Sequence, residues 1–525
     1  MLVRVLSSTL IGIDALPVEV ETDISKGLPS YTLVGLPGGS VREGADRIRA
    51  AIRNSGFPFP GRKITINLAP ADVRKDGALL DLPVALSILC AEGVVPGEAL
   101  CRYLLAGELS LDGSLKPVRG VLPQALLAKA MRLPGIVVPA ANAGEADLVP
   151  GLDVIPAGSL RDAATALAGG GPPPAARCRP RAAGSAPHPA ADAVPDPDLA
   201  DVVGQAVARR ALEIAAAGNH AILLVGPPGS GKTMLAERLP GILPDFEEGE
   251  ALETAQIYSA AGEPPWPRLL TSRPFRAPHH TISAAALVGG GTPPRPGEIT
   301  FAHGGVLFLD EFSEFRRDAR EALRQPLEAG EIRIARAAGF HRYPCRVLLA
   351  AASNPCPCGN HGHPRRICRC SPETVARFAQ RFSGPLLDRI DLAVTVPPMS
   401  GDDWAGGKTG EGTRAVRARV AAGRAIQAAR YAGRAARTNG AARLRFSEAA
   451  AFLSSEALAL LVRAADRMGL SGRAVGKVAR VARTIADLAG EARVGVPHVA
   501  EAIQYRLAEF AAGNGKASPG AADRF

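Results

Sequence analysis

The sequence has few aromatic residues and no long apolar run. Phe, Trp and Tyr together make up 4% of its 525 residues, and this scarcity argues against base stacking as the main way of binding a single-stranded nucleic acid. No apolar stretch approaches the roughly 20 residues that span a bilayer. The N-terminus also lacks the basic and apolar segments of a signal peptide. We therefore expect a cytoplasmic protein with no membrane partner.

Acidic residues are outnumbered by basic ones. The chain has 51 Asp and Glu against 61 Lys and Arg, and its formal net charge is +10. A surplus of this sign favours a polyanionic partner such as nucleic acid, although a GC-rich genome also enriches a protein in arginine and alanine. Net charge alone therefore supports DNA as a partner without establishing it.

Two stretches rich in Pro, Gly or polar residues divide the chain. Residues 169–197 cannot bury an apolar core and are predicted to form a flexible linker. A second break covers residues 400–412, and the part after it is rich in Ala, Arg and Leu. Strand-like and helix-like runs alternate elsewhere. We predict an α/β multidomain protein with these parts: an α/β domain over 1–168, an α/β domain over 198–398, a helical domain over 413–512 and a tail over 513–525.

A phosphate-binding motif follows the apolar run AILLV. We call it the phosphate loop, and its residues are Gly226, Pro227, Pro228, Gly229, Ser230, Gly231, Lys232 and Thr233. Backbone N–H groups of such a loop converge on phosphate oxygens at the start of a helix. The Lys232 side chain is expected to reach the β- and γ-phosphates, and the Thr233 hydroxyl to bind Mg²⁺. The motif predicts that the chain binds a nucleoside triphosphate with Mg²⁺.

Two further apolar strands end in polar residues. The segment GGVLFLDE ends in Asp310, a candidate Mg²⁺ ligand, and Glu311, a candidate for orienting and deprotonating the attacking water. The segment RVLLAAASNP ends at Asn354, which is also a plausible turn starter before Pro355. A buried strand that merely ends in acidic residues is the alternative for the first. Together with the phosphate loop, the pattern predicts hydrolysis.

Four cysteines lie close together in the sequence as two C-x-C pairs. They are Cys356, Cys358, Cys368 and Cys370. Four soft ligands in two pairs suit a structural, tetrahedral Zn²⁺ in a loop that has no core of its own. His361 and His363 fall inside the loop and could replace a thiolate as ligands, and four redox-active or unpaired thiols are the other interpretation.

A series of segments resembles the magnesium-chelatase-like AAA+ ATPases, and within them the ComM/YifB family. They include GQAVARRALEIAAAGNHAILLVGPPGSGKT, FRAPHHTIS, LRQPLEAGEI, NPCPCG, SGPLLDRIDL and LSGRAVGKVARVARTIADL, in the family's order across residues 200–505. The resemblance implies a homo-hexameric ring with ATP at the subunit interfaces and a C-terminal helical lid. It also implies that Asn354 is the sensor 1 residue, Arg389 the arginine finger and Arg473 the sensor 2 arginine.

The N-terminal part, residues 1–168, resembles the family's ribosomal S5-like domain, a fold shared with the Lon protease domain. No Ser nucleophile follows Lys75-Asp76-Gly77, and no Lys base follows the turn at Gly120. Peptidase activity is therefore not expected. A DNA-facing or assembly role is the alternative, with basic residues that could also be ordinary solvated charges: Arg42, Arg47, Arg49, Arg53, Arg62 and Lys63.

Residues 331–343, EIRIARAAGFHRY, alternate as a β-hairpin does. They resemble the hairpin before sensor 1 that lines the ring pore in this family. Four side chains are candidates for contact with DNA phosphates, and they could equally face solvent: Arg333, Arg336, His341 and Arg342.

The sequence leaves two functions open. The resemblance implies an ATP-hydrolysing ring motor on branched or single-stranded DNA, with mainly backbone contacts, of the kind that drives branch migration in natural transformation and recombination. A chelatase-type or protein-remodelling ATPase without DNA activity is the alternative. The fused S5-like domain and the cysteine cluster count against a chelatase subunit.

Overall fold

A computed structural model gives the fold of the chain. It describes residues 2–170, 197–263, 272–292, 294–336, 339–380, 389–399, 410–434, 436–442 and 446–506. The predicted linker lies outside the described residues except at its ends. So do most of the second break and the whole predicted tail.

A seven-stranded mixed sheet forms the N-terminal part, in the order β3-β4-β2-β1-β5-β8-β9. Along β4 the side chains of Ile64, Ile66 and Leu68 are buried and alternate with more exposed ones, as expected of a sheet covered on one face. The helix α2 is buried along nearly its whole length against this sheet. The elements are β1 (Leu2–Ile11), β2 (Asp14–Ser25), β3 (Ser30–Val34), α1 (Gly39–Asn54), β4 (Lys63–Ala69), α2 (Asp81–Ala91), α3 (Gly97–Leu100), β5 (Tyr103–Leu105), β6 (Glu108–Leu109), β7 (Leu115–Lys116), α4 (Val121–Ala130), β8 (Gly135–Pro139), α5 (Ala143–Ala146), β9 (Asp153–Ala157) and α6 (Leu160–Thr165).

A five-stranded parallel sheet forms the central part, in the order β11-β14-β17-β10-β18. The strands β10, β14 and β17 are buried at every position, as is usual for parallel strands covered by helices on both faces. The elements are α7 (Ala206–Gly218), β10 (Ile222–Val225), α8 (Lys232–Glu237), α9 (Leu239–Ile242), α10 (Glu248–Ala261), β11 (Phe275–Arg276), α11 (Ala284–Val288), β12 (Gly289–Gly290), β13 (Arg295–Pro296), α12 (Glu298–Phe301), β14 (Val306–Leu309), α13 (Arg317–Ala322), α14 (Arg324–Ala329), β15 (Glu331–Arg336), β16 (Gly339–Pro344), β17 (Leu348–Ser353), α15 (Pro372–Gln380) and β18 (Leu392–Thr395).

The C-terminal part is helical in the residues that the structure describes. Its apolar side chains, among them Val420 and Val478, share one buried cluster with Leu212 of α7 and Leu224 of β10. The helices are α16 (Thr413–Arg430), α17 (Phe446–Ala450), α18 (Ser455–Met468), α19 (Gly472–Leu488) and α20 (Val496–Gln504). They therefore pack on the central part, where α16 contacts α7 and α9 and α19 contacts α7. Among the described residues no helix combines the length and the apolar character that a bilayer crossing needs.

The N-terminal part docks on the central part through α10. The Ser259 carbonyl accepts a hydrogen bond from Gly120 N at 2.8 Å, and the Ser259 hydroxyl accepts one from Leu122 N at 3.3 Å. Ser259 also bonds the buried Glu145 carboxylate, and Ala255 lies in the apolar cluster between the two parts. The helix α10 thus packs on the central part with one face and on the N-terminal part with another.

Candidate functional site

The phosphate loop joins the end of β10 to the start of α8. Gly229 and Gly231 have φ values of +77° and +88°, which favour glycine. A Cβ atom at either residue would meet no other atom within 4 Å, so the loop faces open space there. An open, glycine-lined turn at a strand–loop–helix junction has the shape that a phosphate group fits.

The Lys232 ammonium lies at the centre of the loop. It donates hydrogen bonds to the carbonyl oxygens of Gly226 and Pro227, at 2.8 and 2.9 Å, and to Oδ1 of Asn354 at 3.2 Å. Burial lowers the pKa of Lys232, and the negative charges of Asp310 and Glu311 oppose that shift. The parallel sheet explains the contact with Asn354, because β10 and β17 are neighbours and both end at this edge.

Thr233 and Asp310 meet in front of the loop. The Thr233 hydroxyl donates a hydrogen bond of 2.8 Å to Oδ2 of Asp310, and Oδ1 of Asp310 accepts one from Glu311 N at 2.8 Å. Hydroxyl and carboxylate oxygens are the hard ligands that Mg²⁺ takes in nucleotide sites, usually only one or two of them from the protein. The pair therefore fits a Mg²⁺ ion bound together with the phosphates of a nucleotide.

Glu311 has a strained backbone and a histidine partner. Its φ of +49° is in the left-handed region, which is uncommon for a residue other than glycine and clusters at functional sites. Nδ1 of His280 lies 3.1 Å from Oε2 of Glu311. His280 was not among the predicted site residues. His280 is part of the segment FRAPHHTIS, but nothing in the spacing of that segment relates it to the strand that precedes Glu311.

Arg389 and Arg473 lie apart from this group in the described contacts. The Arg389 guanidinium forms an ion pair with Glu328, and 16% of its side chain is exposed. Arg473 is exposed in the first turn of α19, and its side chain forms no hydrogen bond or ion pair within the described ranges. The structure thus brings together Lys232, Thr233, Asp310 and Asn354, with Glu311 beside them.

A buried ionic cluster connects the strand β18 to α19. The Asp391 carboxylate lies 3.1 Å from Nζ of Lys477 and 3.4 Å from Nδ1 of His220. Nε2 of His220 lies 2.8 Å from the Thr484 hydroxyl. Burial raises the pKa of Asp391, but the His220 hydrogen bond and the Lys477 charge outweigh it and bring that pKa below its usual range. Asp391 is two residues from Arg389, so the cluster fixes the chain beside this arginine.

The four cysteines of residues 356–370, the Cys loop, come together. Their Sγ atoms all lie within 4.8 Å of one another, with Cys356 3.4 Å from Cys358 and 3.7 Å from Cys368. No disulfide joins cysteines within the described residues. Backbone hydrogen bonds from Asn360 and Arg369 lower the pKa of the Cys358 thiol to about 6, whereas burial and the neighbouring thiols raise the pKa values of Cys368 and Cys370. The cluster is able to hold a metal ion such as zinc.

The two histidines of the Cys loop have other contacts. The His361 backbone N–H donates to Sγ of Cys356 at 3.3 Å, and Nδ1 of His363 accepts from the backbone N–H groups of Arg365 and Arg366, at 3.0 Å each. Neither imidazole belongs to the group of possible ligand atoms, which consists of the four thiols. All-cysteine ligation is therefore the arrangement that this geometry favours.

The hairpin, β15 and β16, forms where the alternating pattern predicts it. Glu331 at its base pairs with both Arg333 and Arg342, whose side chains are otherwise exposed. His341 is partly buried, and burial lowers its pKa. Arg336 pairs with Gly339 in the backbone register of the two strands. Phe340 was not predicted as a site residue and is 81% exposed, which is unusual in a chain with so few aromatic residues.

Several basic residues of the N-terminal part have partners in the structure. Arg47 pairs with the buried Asp81 at 2.8 Å, and Arg62 with Glu92 at 2.6 Å. Arg49 and Arg53 lie over the ring of Phe59. Of the six basic residues only Arg47 is partly buried, and the other five remain exposed. The ion pairs of Arg47 and Arg62 neutralise part of the positive charge of this surface.

Three family descriptions match the chain in succession. "Subunit ChlI of Mg-chelatase" matches residues 20–142, "Magnesium chelatase, subunit ChlI" matches residues 198–404, and "Magnesium chelatase, subunit ChlI C-terminal" matches residues 410–506. These matches cover all three parts of the fold and leave out the predicted linker.

Similar proteins match over nearly their whole length. Competence protein ComM of Haemophilus influenzae is 42% identical over 513 residues, which are 96% of this chain and 97% of that protein. Protein YifB of Escherichia coli, described as uncharacterized, is 42% identical over 94% of this chain and 95% of its own. An uncharacterized protein of Mycobacterium tuberculosis is 45% identical over 96% of this chain and 98% of its own.

Proposed function

The chain belongs to the ComM/YifB family of magnesium-chelatase-like AAA+ ATPases, and from this premise we propose that it is an ATP-hydrolysing homo-hexameric motor that acts on DNA. One observation supports hydrolysis more than any other. Residues that follow three parallel strands meet at one edge of the sheet, where Thr233 contacts Asp310 and Lys232 contacts Asn354. Loss of hydrolysis with retained ATP binding in a Glu311→Gln variant is the first test.

In the proposed reaction Glu311 orients the attacking water. The water oxygen forms a bond to the γ-phosphorus, the bond from that phosphorus to the bridging oxygen of ADP breaks, and a water proton passes to the Glu311 carboxylate. Lys232 balances the charge of the β- and γ-phosphates, and Asn354 holds the water. Thr233 and Asp310 would hold a Mg²⁺ ion, which would neutralise phosphate charge.

The resemblance gives Arg389 and Arg473 roles that need a second subunit or a lid movement. Arg389 would act on the γ-phosphate of a neighbour, and Arg473 on the nucleotide of its own subunit. Mixing Lys232→Ala with Arg389→Ala subunits tests the first role. Rings that alternate the two variants contain intact sites, so the mixture should regain ATPase activity that neither variant has alone. A mixture as inactive as its components would argue against an arginine finger in trans.

Several observations support DNA as the partner. The net charge is +10, and the exposed hairpin presents Arg333, Arg342 and Phe340. A relative that is 42% identical is named a competence protein. Basic side chains on an exposed hairpin suit phosphate contacts that do not depend on sequence.

The experiment that tests this function compares ATPase rates with no DNA, duplex DNA, single-stranded DNA and a four-way junction. Stimulation, strongest by the junction, and ATP-dependent movement of the branch point are expected, and the Glu311→Gln variant should show neither. No stimulation by any DNA would overturn the motor function. The match to magnesium chelatase subunits would then favour remodelling of a protein partner.

We also propose that the Cys loop holds structural Zn²⁺.

A further inference from the structure

The Cys loop presents a basic surface that the sequence analysis did not assign. Arg365, Arg366 and Arg369 are exposed, and Ile367 between them is 89% exposed. Residues 356–370 contain no Asp or Glu. The far end of a loop held by four cysteines is therefore positively charged, with one apolar side chain in the middle.

These arginines differ from those of the hairpin in their partners. Arg333 and Arg342 share the carboxylate of Glu331, which neutralises part of their charge. In the described part of the chain, no hydrogen bond or ion pair engages the guanidinium groups of the three Cys-loop arginines. An external anion would thus be attracted by the full positive charge of the three arginines and would not have to displace an internal carboxylate.

The backbone that presents the arginines is held at two points. Nδ1 of His363 accepts hydrogen bonds from the N–H groups of both Arg365 and Arg366, and the Sγ atoms of Cys356, Cys358 and Cys368 lie 3.4 to 3.7 Å apart. A preordered segment loses less conformational entropy on binding than a flexible tail with the same charge. The planar guanidinium group also matches phosphate oxygens in bidentate geometry.

We infer that the Cys loop is a nucleic-acid contact, in which Arg365, Arg366 and Arg369 bind backbone phosphates and Ile367 packs against a sugar or base. The inference rests on the proposed function, since it names a place where the DNA is held. It adds a binding surface outside the hairpin, on a loop that starts two residues after Asn354. Because the arginines bind backbone phosphates, the contact is independent of base sequence.

The test measures binding of fluorescein-labelled duplex and single-stranded DNA at several salt concentrations. The variant is Arg365→Ala/Arg366→Ala/Arg369→Ala in the full chain. The matched control removes three exposed arginines elsewhere, Arg102→Ala/Arg463→Ala/Arg467→Ala, and so has the same net charge. Zinc content and ATPase rate without DNA show that both variants are folded.

We expect the Kd of the Cys-loop variant to rise about tenfold or more at moderate salt, and the slope of log Kd against log salt to fall by about 2 to 3, as for the loss of three phosphate contacts. The control should stay within about threefold of the wild type. Equal Kd and slope in the two variants would overturn this inference alone. A wild-type chain that binds no DNA would overturn both this inference and the proposed function.

Discussion

Gly359 of the Cys loop lies directly against Pro228 of the phosphate loop. A Cβ atom at residue 359 would stand 2.5 Å from Cδ and 2.9 Å from Cγ of the proline ring, well inside the 3.5–4.0 Å or so of a relaxed carbon contact. The Cys loop is therefore packed on the nucleotide site without a gap, and its shape bears on the position of the phosphate loop.

The first prediction concerns this contact. Gly359→Ala should raise the Kd for ATP by about tenfold or more, because overpacking by one methyl group costs about 1–3 kcal/mol and 1.4 kcal/mol is a factor of ten. Binding of a fluorescent ATP analogue measures it. Gly362→Ala is the matched control, since Gly362 has a similar φ of +73° but no atom within 4 Å of its Cβ position. Equal Kd values for the two variants would show that the contact has no influence on binding.

The second prediction concerns the metal. Cys368→Ser should lose bound zinc and lower the Tm, because a structural site needs all four ligands. Cys101→Ser, which changes an exposed thiol outside the cluster, should keep both. Elemental analysis and thermal denaturation provide the measurements. Unchanged zinc in Cys368→Ser would exclude Cys368 as a ligand.

The third prediction concerns the partner of Glu311. His280→Ala should lower kcat several-fold and leave KM for ATP nearly unchanged, because in the proposed reaction the carboxylate beside this imidazole acts on the water and not on the nucleotide. Glu311→Gln should lower kcat by about 10²-fold or more. His279→Ala is the control, since the Nδ1 atom of this neighbour contacts Thr281 instead. A similar kcat in all three histidine forms (wild type, His280→Ala and His279→Ala) would mean that the His280 contact is not used.

The fourth prediction concerns the buried cluster around Asp391. Lys477→Met leaves Asp391 with one partner fewer and should lower the free energy of unfolding by about 3–5 kcal/mol. The double variant Asp391→Asn/Lys477→Met should be less destabilised than the sum of the two single variants, because it removes the charge together with its partner. Chemical denaturation of all four proteins measures the coupling. Strict additivity would contradict a direct interaction.

The same cluster has a defined pH dependence. The folded state holds the pKa of Asp391 below its usual range, so the stabilisation is complete above an unfolded pKa of about 3.9 and is lost as the pH falls below it. The stability difference between wild type and Asp391→Asn should be constant above about pH 5 and shrink below about pH 4. A difference that stays constant to pH 3 would argue against a depressed pKa.

The central site was predictable because its signals are local or follow from strand geometry. The phosphate loop is a contiguous motif, and parallel strands end at one edge, so Asp310 and Asn354 had to come near it. His280 approaches Glu311 from a separate segment, and the pairing of Asp391 with Lys477 joins residues far apart in sequence. Neither contact leaves a periodic pattern, so only the folded chain reveals it.

Charges were the least predictable feature. The sequence left Arg47, Arg62, Arg333 and Arg342 open as contacts for DNA or as solvated charges, and each has a carboxylate partner in the fold. Composition counts charges but says nothing about their pairing. The two C-x-C pairs predict a metal site and indicate nothing about the role of the arginines between and beside them.

The docking of the N-terminal part on α10 has a consequence for the integrity of the chain. Hydrogen bonds of Gly120 and Leu122 to Ser259 and the apolar contact of Ala255 join the two parts without help from the peptide bonds of residues 171–196. We therefore expect a cut confined to those residues to leave two fragments that migrate together on a sizing column and separate in denaturant. The N-terminal and central parts are thus joined by non-covalent contacts as well as by the chain that links them.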